Sequence, residues 1–108
     1  MQVRRLAETA SGQRASALIE FEWDARKATA NAKKHGVMFQ EAASVFDDKL
    51  AVTFPDPDHS RSEARFITFG ISMVNRLLTV SHTDRGHRVR IISSRQMTKG
   101  ERRIYEEG

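Results

Sequence analysis

Apolar and polar positions alternate where the ordered pattern begins. Ile19, Phe21 and Trp23 interleave with Glu20 and Glu22, which predicts a short half-buried strand. Asp24 then offers an N-cap for a helix over Ala25–His35. Lys33, Lys34 and His35 fall in its last turn, where cations suit the helix dipole, and Gly36 follows as the expected left-handed stop. Phe39, Ala42, Ala43 and Phe46 recur at i, i+3, i+4 and i+7, predicting a second helix over Phe39–Phe46. Neither helix is long enough to persist alone in water, so both need a packing partner.

Four β-rich segments supply that partner. Leu50–Phe54 reads as a strand ended by Pro55-Asp56-Pro57-Asp58. Arg65–Ser72, Leu77–Thr83 and His87–Ser94 follow, joined by a turn at Met73–Arg76 and a hairpin turn at Asp84-Arg85-Gly86. Thr98-Lys99-Gly100-Glu101 matches the capping box and opens a C-terminal helix through Tyr105. The expected architecture is α+β: two N-terminal helices and a C-terminal helix packed on an antiparallel sheet of about four strands. Residues 1–18 carry no sustained period, and Ser11, Gly12 and Gln13 interrupt them. They read as a poorly ordered tail ahead of a single domain over residues 19–108.

Composition narrows the chemistry. A chain of 108 residues suits one domain. It has no cysteine, which excludes disulfides and thiolate zinc sites and fits the cytoplasm as the expected location. No apolar stretch approaches the ~18 residues of a membrane span. The net charge of +4 is unevenly spread. Between residues 76 and 103 eight cations face only Asp84 and Glu101, and thirteen of the eighteen cations in the chain are arginine. The arginine fork matches phosphate and carboxylate geometry, so the field points to nucleic acid or an acidic protein.

Strand alternation places Val89 and Ile91 on one face of the last strand and Arg88, Arg90 and Ile92 on the other. An unpaired guanidinium is too costly to bury, so the arginines face solvent or a ligand. Arg90 and Arg95 are the leading anion-binding candidates, with Arg65 near them across the sheet. His82 is the candidate proton carrier, although a lone histidine in register with Leu78 and Val80 is more often a core residue. Tyr105 stacks on a base, donates a hydrogen bond or anchors its helix. No metal-ligand set, phosphate-binding glycine loop or cofactor motif is present, so neither metal nor cofactor is expected.

Several stretches together resemble the BrnT family of type II toxins. They are F-x-W-D at Phe21–Asp24, K-H-G at Lys34–Gly36, F-x-x-A-x-x-V-F-D-D at Phe39–Asp48, and R-I-I-S-x-R at Arg90–Arg95. The resemblance spans about residues 19–108. It departs at Lys49, where the family usually has Pro, and at Ser94, where it often has Ala. It implies a RelE-like fold and a metal-independent endoribonuclease that cleaves RNA and arrests translation. It further implies a BrnA-like antitoxin, bound as a 2:2 heterotetramer, that contacts operator DNA on the toxin's behalf; no membrane is involved. On this reading Arg65, His82, Arg90, Arg95 and Tyr105 are the catalytic candidates, and Arg85, Arg88, Lys99 and Arg102 the RNA-binding ones. The alternative is a non-catalytic module that binds nucleic acid or the antitoxin. The nuclease reading requires guanidinium groups that converge on one accessible pocket rather than scattering or locking onto internal carboxylates.

Overall fold

The computed structural model describes residues 19–108, so the tail expected over residues 1–18 lies outside it. Strand β1 (Glu20–Glu22) leads into helix α1 (Ala25–His35) and helix α2 (Phe39–Ser44). A 3-10 turn (Val45–Asp47) precedes β2 (Val52–Pro55), and a second (Pro57–His59) precedes β3 (Phe66–Ile71). Strands β4 (Leu77–Arg85) and β5 (Arg88–Gln96) and helix α3 (Lys99–Glu107) complete the chain.

Local signals place the helix ends. The Asp24 carboxylate accepts from the backbone N–H groups of Arg26 and Lys27 at 2.9 and 3.0 Å, satisfying two donors that have no helical partner. Gly36 closes α1 at φ 69°, where a side chain would be strained. The capping box of α3 forms in both directions between Thr98 and Glu101. Helix α2 gives way to the 3-10 turn after Ser44, so the apolar stripe continues to Phe46 in tighter geometry than expected.

The sheet corrects the four-stranded antiparallel expectation. It has five strands in the order β1-β5-β4-β3-β2. Strands β2 to β5 form an antiparallel meander, but β1 pairs parallel with β5, Phe21 opposite Val89 and Glu22 opposite Arg90. The alternation in 19–23 shows that β1 has one buried face, but not which edge it joins. The β4–β5 turn is also tighter than expected. Arg85 pairs with Arg88, leaving only Gly86 and His87 between the strands, and Gly86 at φ 65° takes the first turn position.

Helices α1 and α2 cover one face. Their core comprises Val37, Phe39, Ala42, Val45 and Phe46 against Leu78, Val80, Val89 and Ile91, with Phe21 and Trp23 packed at its margin. Asn31 ties α1 to β5: its buried amide donates to the carbonyls of Val37 (3.0 Å) and Ser94 (2.8 Å) and accepts from the Ser94 N–H (3.0 Å). Gly70 is where β3 passes under the 3-10 turn, and a Cβ there would come 2.6 Å from the Val45 side chain. Helix α3 departs from the packing expected of it, because it buries no residue fully. Polar contacts hold it instead: Glu101 reaches Thr79 and Arg95, and the Tyr105 hydroxyl donates to Asp48 at 2.7 Å.

Candidate functional site

The face of the sheet turned away from α1 and α2 carries the cations, and an irregularity in the β4–β5 ladder decides which ones. The register shifts between Ser81, opposite Ser93, and His82, opposite Ile91. Adjacent residues of β4 point to opposite faces, so Ile91 and Ser93 do too, although they are two apart in sequence. The bulge therefore turns Arg95 onto the face that already carries Arg88 and Arg90. In a regular strand Arg90 and Arg95 would point in opposite directions.

At the hairpin end of this face three guanidinium groups gather around one carboxylate. Glu22 Oε2 accepts from Arg85 Nη1 at 3.1 Å and from Arg90 Nη1 at 3.3 Å, and Glu22 Oε1 lies 3.6 Å from Arg88 Nη1. Arg85 also donates to both oxygens of Glu63 at 3.1 and 3.3 Å, and Arg88 lies 3.4 Å from Glu20. Glu63, and to a smaller extent Glu22, hold the Arg85 guanidinium above its ordinary pKa. Glu63 belongs to a surface cleft of about 440 Å³ lined by Asp58, His59, Arg61, Ser62 and Arg65. Arg65 immediately precedes Phe66, the partner of His82, so it falls in the row of Thr83 and Arg90 on the same face. Arg65, Arg85, Arg88 and Arg90 thus share one end of the sheet.

Arg95 stands apart. Its β4 partner Thr79 is four residues from Thr83, the partner of Arg90, which puts about 13 Å between the two positions at ~3.3 Å per residue. Its guanidinium is clamped by both oxygens of Glu101 at 2.7 and 2.8 Å. Chiefly through Arg95, this holds the Glu101 carboxyl down at about 2 and raises the Arg95 pKa. Lys99 and Arg102 lie exposed on the adjoining first turn of α3. Of the three arginines expected to converge, Arg90 and Arg65 share the hairpin end and Arg95 does not, and each hairpin guanidinium has a carboxylate beside it.

His82 is fully buried, at 0% exposure, between the rings of Phe46 and Phe66. Its Nδ1 faces Asp84 Oδ1 at 3.0 Å, and its Nε2 faces Thr68 Oγ1 at 2.8 Å; that hydroxyl meets Thr53 Oγ1 at 2.8 Å. A carboxylate only accepts, so Nδ1 donates to Asp84, while Nε2 pairs with the Thr68 hydroxyl. The result is a polar chain through three strands, with the fully buried His82 ring at its centre. The Tyr105 hydroxyl is occupied by Asp48. His82 and Tyr105 are thus placed as internal supports rather than as groups facing the arginines.

Three further residues belong to this cluster. Glu22 and Glu63 are the counter-ions of the cluster. Thr83 is 1% exposed, and its hydroxyl has no hydrogen-bond partner among the described residues, though it sits in the row with Arg90 and Glu22. Alternation alone puts Glu20 and Glu22 on one face, which was the available signal; their partner strand was not legible. Among the described residues no three His, Asp or Glu side chains group as metal ligands, and no helix is long and apolar enough to cross a membrane.

Comparison with known proteins gives the same direction. The family model described as the ribonuclease toxin BrnT of type II toxin–antitoxin systems matches residues 23–101. The 1.1 Å crystal structure of the Brucella abortus ribonuclease toxin BrnT superposes with a TM-score of 0.59 at 21% identity, covering 75% of this chain and 99% of that one. No curated protein matches the chain.

Proposed function

Given that the chain belongs to the BrnT family of ribonuclease toxins of type II toxin–antitoxin systems, we propose that it is a metal-independent endoribonuclease that holds RNA on the hairpin end of its open sheet face. The gathering of Arg85, Arg88 and Arg90 at Glu22 carries this reading. Cleaving RNA without a metal requires stabilisation of a dianionic, phosphorane-like transition state, and preorganised guanidinium groups supply it. Arg65, beside the same cluster, extends the grip into the cleft.

The carboxylates do not silence these arginines. Exposed ion pairs contribute roughly 0–1 kcal/mol each, so an incoming phosphate replaces them at little cost and gains charge-assisted bonds. Arg95 serves a second purpose: it fixes Glu101 and hence the start of α3, which presents Lys99 and Arg102 to more distant phosphates. His82 holds β3 and β4 in register beneath the site, and Tyr105 anchors α3. Cutting RNA arrests translation. A BrnA-like antitoxin, bound 2:2, relieves that arrest and carries the complex to operator DNA.

The test is expression of the chain alone with mapping of new RNA ends, repeated with EDTA. New ends that persist in EDTA support the reading, and complete inhibition by EDTA removes metal independence from it. RNA that is bound in a salt-dependent manner but stays intact supports a non-catalytic binding module instead.

A further inference from the structure

We infer that Glu22 is the general base of this site, a role that rests on the nuclease reading above. Cleavage needs a group that takes the proton from the attacking 2′-hydroxyl. His82 is sealed in the core and the Tyr105 hydroxyl already donates to Asp48, so neither is placed beside the arginines to take that proton. Among the described residues Glu22 alone has a carboxylate within 3.6 Å of all three hairpin arginines. The guanidinium groups that seat the scissile phosphate are those that border this carboxylate. The 2′-hydroxyl, one carbon away from the 3′-oxygen on phosphorus, is then delivered to it.

Position separates Glu22 from its neighbours. Its side chain is 25% exposed, against 59% for Glu20 and 45% for Glu63. It stands on backbone paired directly with Arg90, whereas Glu63 belongs to a loop.

The step balances without a further reactant. The Glu22 carboxylate accepts the 2′-hydroxyl proton as the 2′-oxygen bonds to phosphorus. The bond from phosphorus to the 5′-oxygen breaks, that oxygen leaves with a proton from water, and the hydroxide so formed takes the proton from Glu22 and restores its carboxylate. The products are a 2′,3′-cyclic phosphate and a 5′-hydroxyl end. Arg85, Arg88 and Arg90 neutralise the charge on phosphorus, while Glu20, Glu63 and Asp24 act on the same arginines.

The test compares the full chain with Glu22→Gln and Glu22→Asp on a labelled single-stranded RNA, with and without ribosomes. Binding is read on the same RNA carrying 2′-O-methyl groups. Glu22→Gln is expected to lower kcat by about 10²-fold or more. It should bind the methylated RNA at least as tightly as wild type, because one negative charge is gone, and it should lose the acid limb of the kcat profile. Glu22→Asp should keep that limb at reduced kcat. Cleavage by Glu22→Gln within threefold of wild type overturns the assignment. So does a loss of binding that matches the loss of cleavage, since Glu22 would then only organise the arginines. Wild-type protein that leaves RNA intact in both settings removes the nuclease reading itself, an outcome distinct from failure of Glu22 alone.

Discussion

The arginines of this protein fall into two kinds that look alike in sequence. Arg76 and Arg95 are clamps. Arg76 donates through Nε to Glu41 at 2.9 Å, bonds its second oxygen through Nη2, and also donates to the Gly36 carbonyl, tying the β3–β4 turn to both helices. Arg95 grips both oxygens of Glu101. Each clamp depresses the pKa of its carboxylate, first through the guanidinium hydrogen bond. Arg85, Arg88 and Arg90 make longer contacts of 3.1 to 3.6 Å and share their acids. Glu41 is nearly buried, so Arg76 cannot leave it without stranding a charge. Glu22 is 25% exposed, and Glu20 and Glu63 more so, so a hairpin guanidinium gives up its acid at lower cost.

Removing a clamp should unfold the protein more readily, and the largest effect falls on Arg76. Arg76→Ala strands Glu41 and should cost about 3 kcal/mol, lowering Tm by more than ~10 °C. A thermal melt within two degrees or so of wild type would erase the distinction between the two kinds. Arg90→Ala should do the reverse. Cleavage should fall roughly 10²-fold while stability changes by less than ~1 kcal/mol. Comparable losses of stability in Arg90→Ala and Arg76→Ala would place Arg90 among the clamps.

Glu101→Gln comes next, at about 2 kcal/mol near neutral pH. Its folded pKa of about 2 lies below the ordinary 4.5, so its ionised form stabilises the fold fully above pH 4.5. That contribution drains away as pH falls through about 2. Denaturant melts of wild type and variant should therefore converge across this window, and a constant gap down to pH 2 would contradict the clamp. The smallest effect belongs to Arg88→Ala. Stability should move by less than ~0.5 kcal/mol, and the salt dependence of single-stranded RNA binding should lose about 0.7 from its log–log slope. An unchanged slope would take Arg88 off the RNA path.

The amino-acid order alone settled whatever is satisfied within a turn or two of chain. Asp24 caps the N–H groups of residues two and three positions on, Gly36 ends α1, Thr98 and Glu101 cap each other, and the stripe from Phe39 to Phe46 faces the core. Val89 and Ile91 inward with Arg88 and Arg90 outward also followed from alternation. The neighbours of those arginines did not. Glu22 meets Arg90 across 68 positions of sequence because β1 joins β5 rather than another edge, a choice made by the whole sheet. One register shift beside His82 turned Arg95 to a face that strict alternation denies it, where both oxygens of Glu101 meet its guanidinium. Caps and periodicity are short-range, so sequence displays them. Strand pairing and register balance contacts across the entire fold, so only the tertiary structure decided which cations stand together and which are already spent.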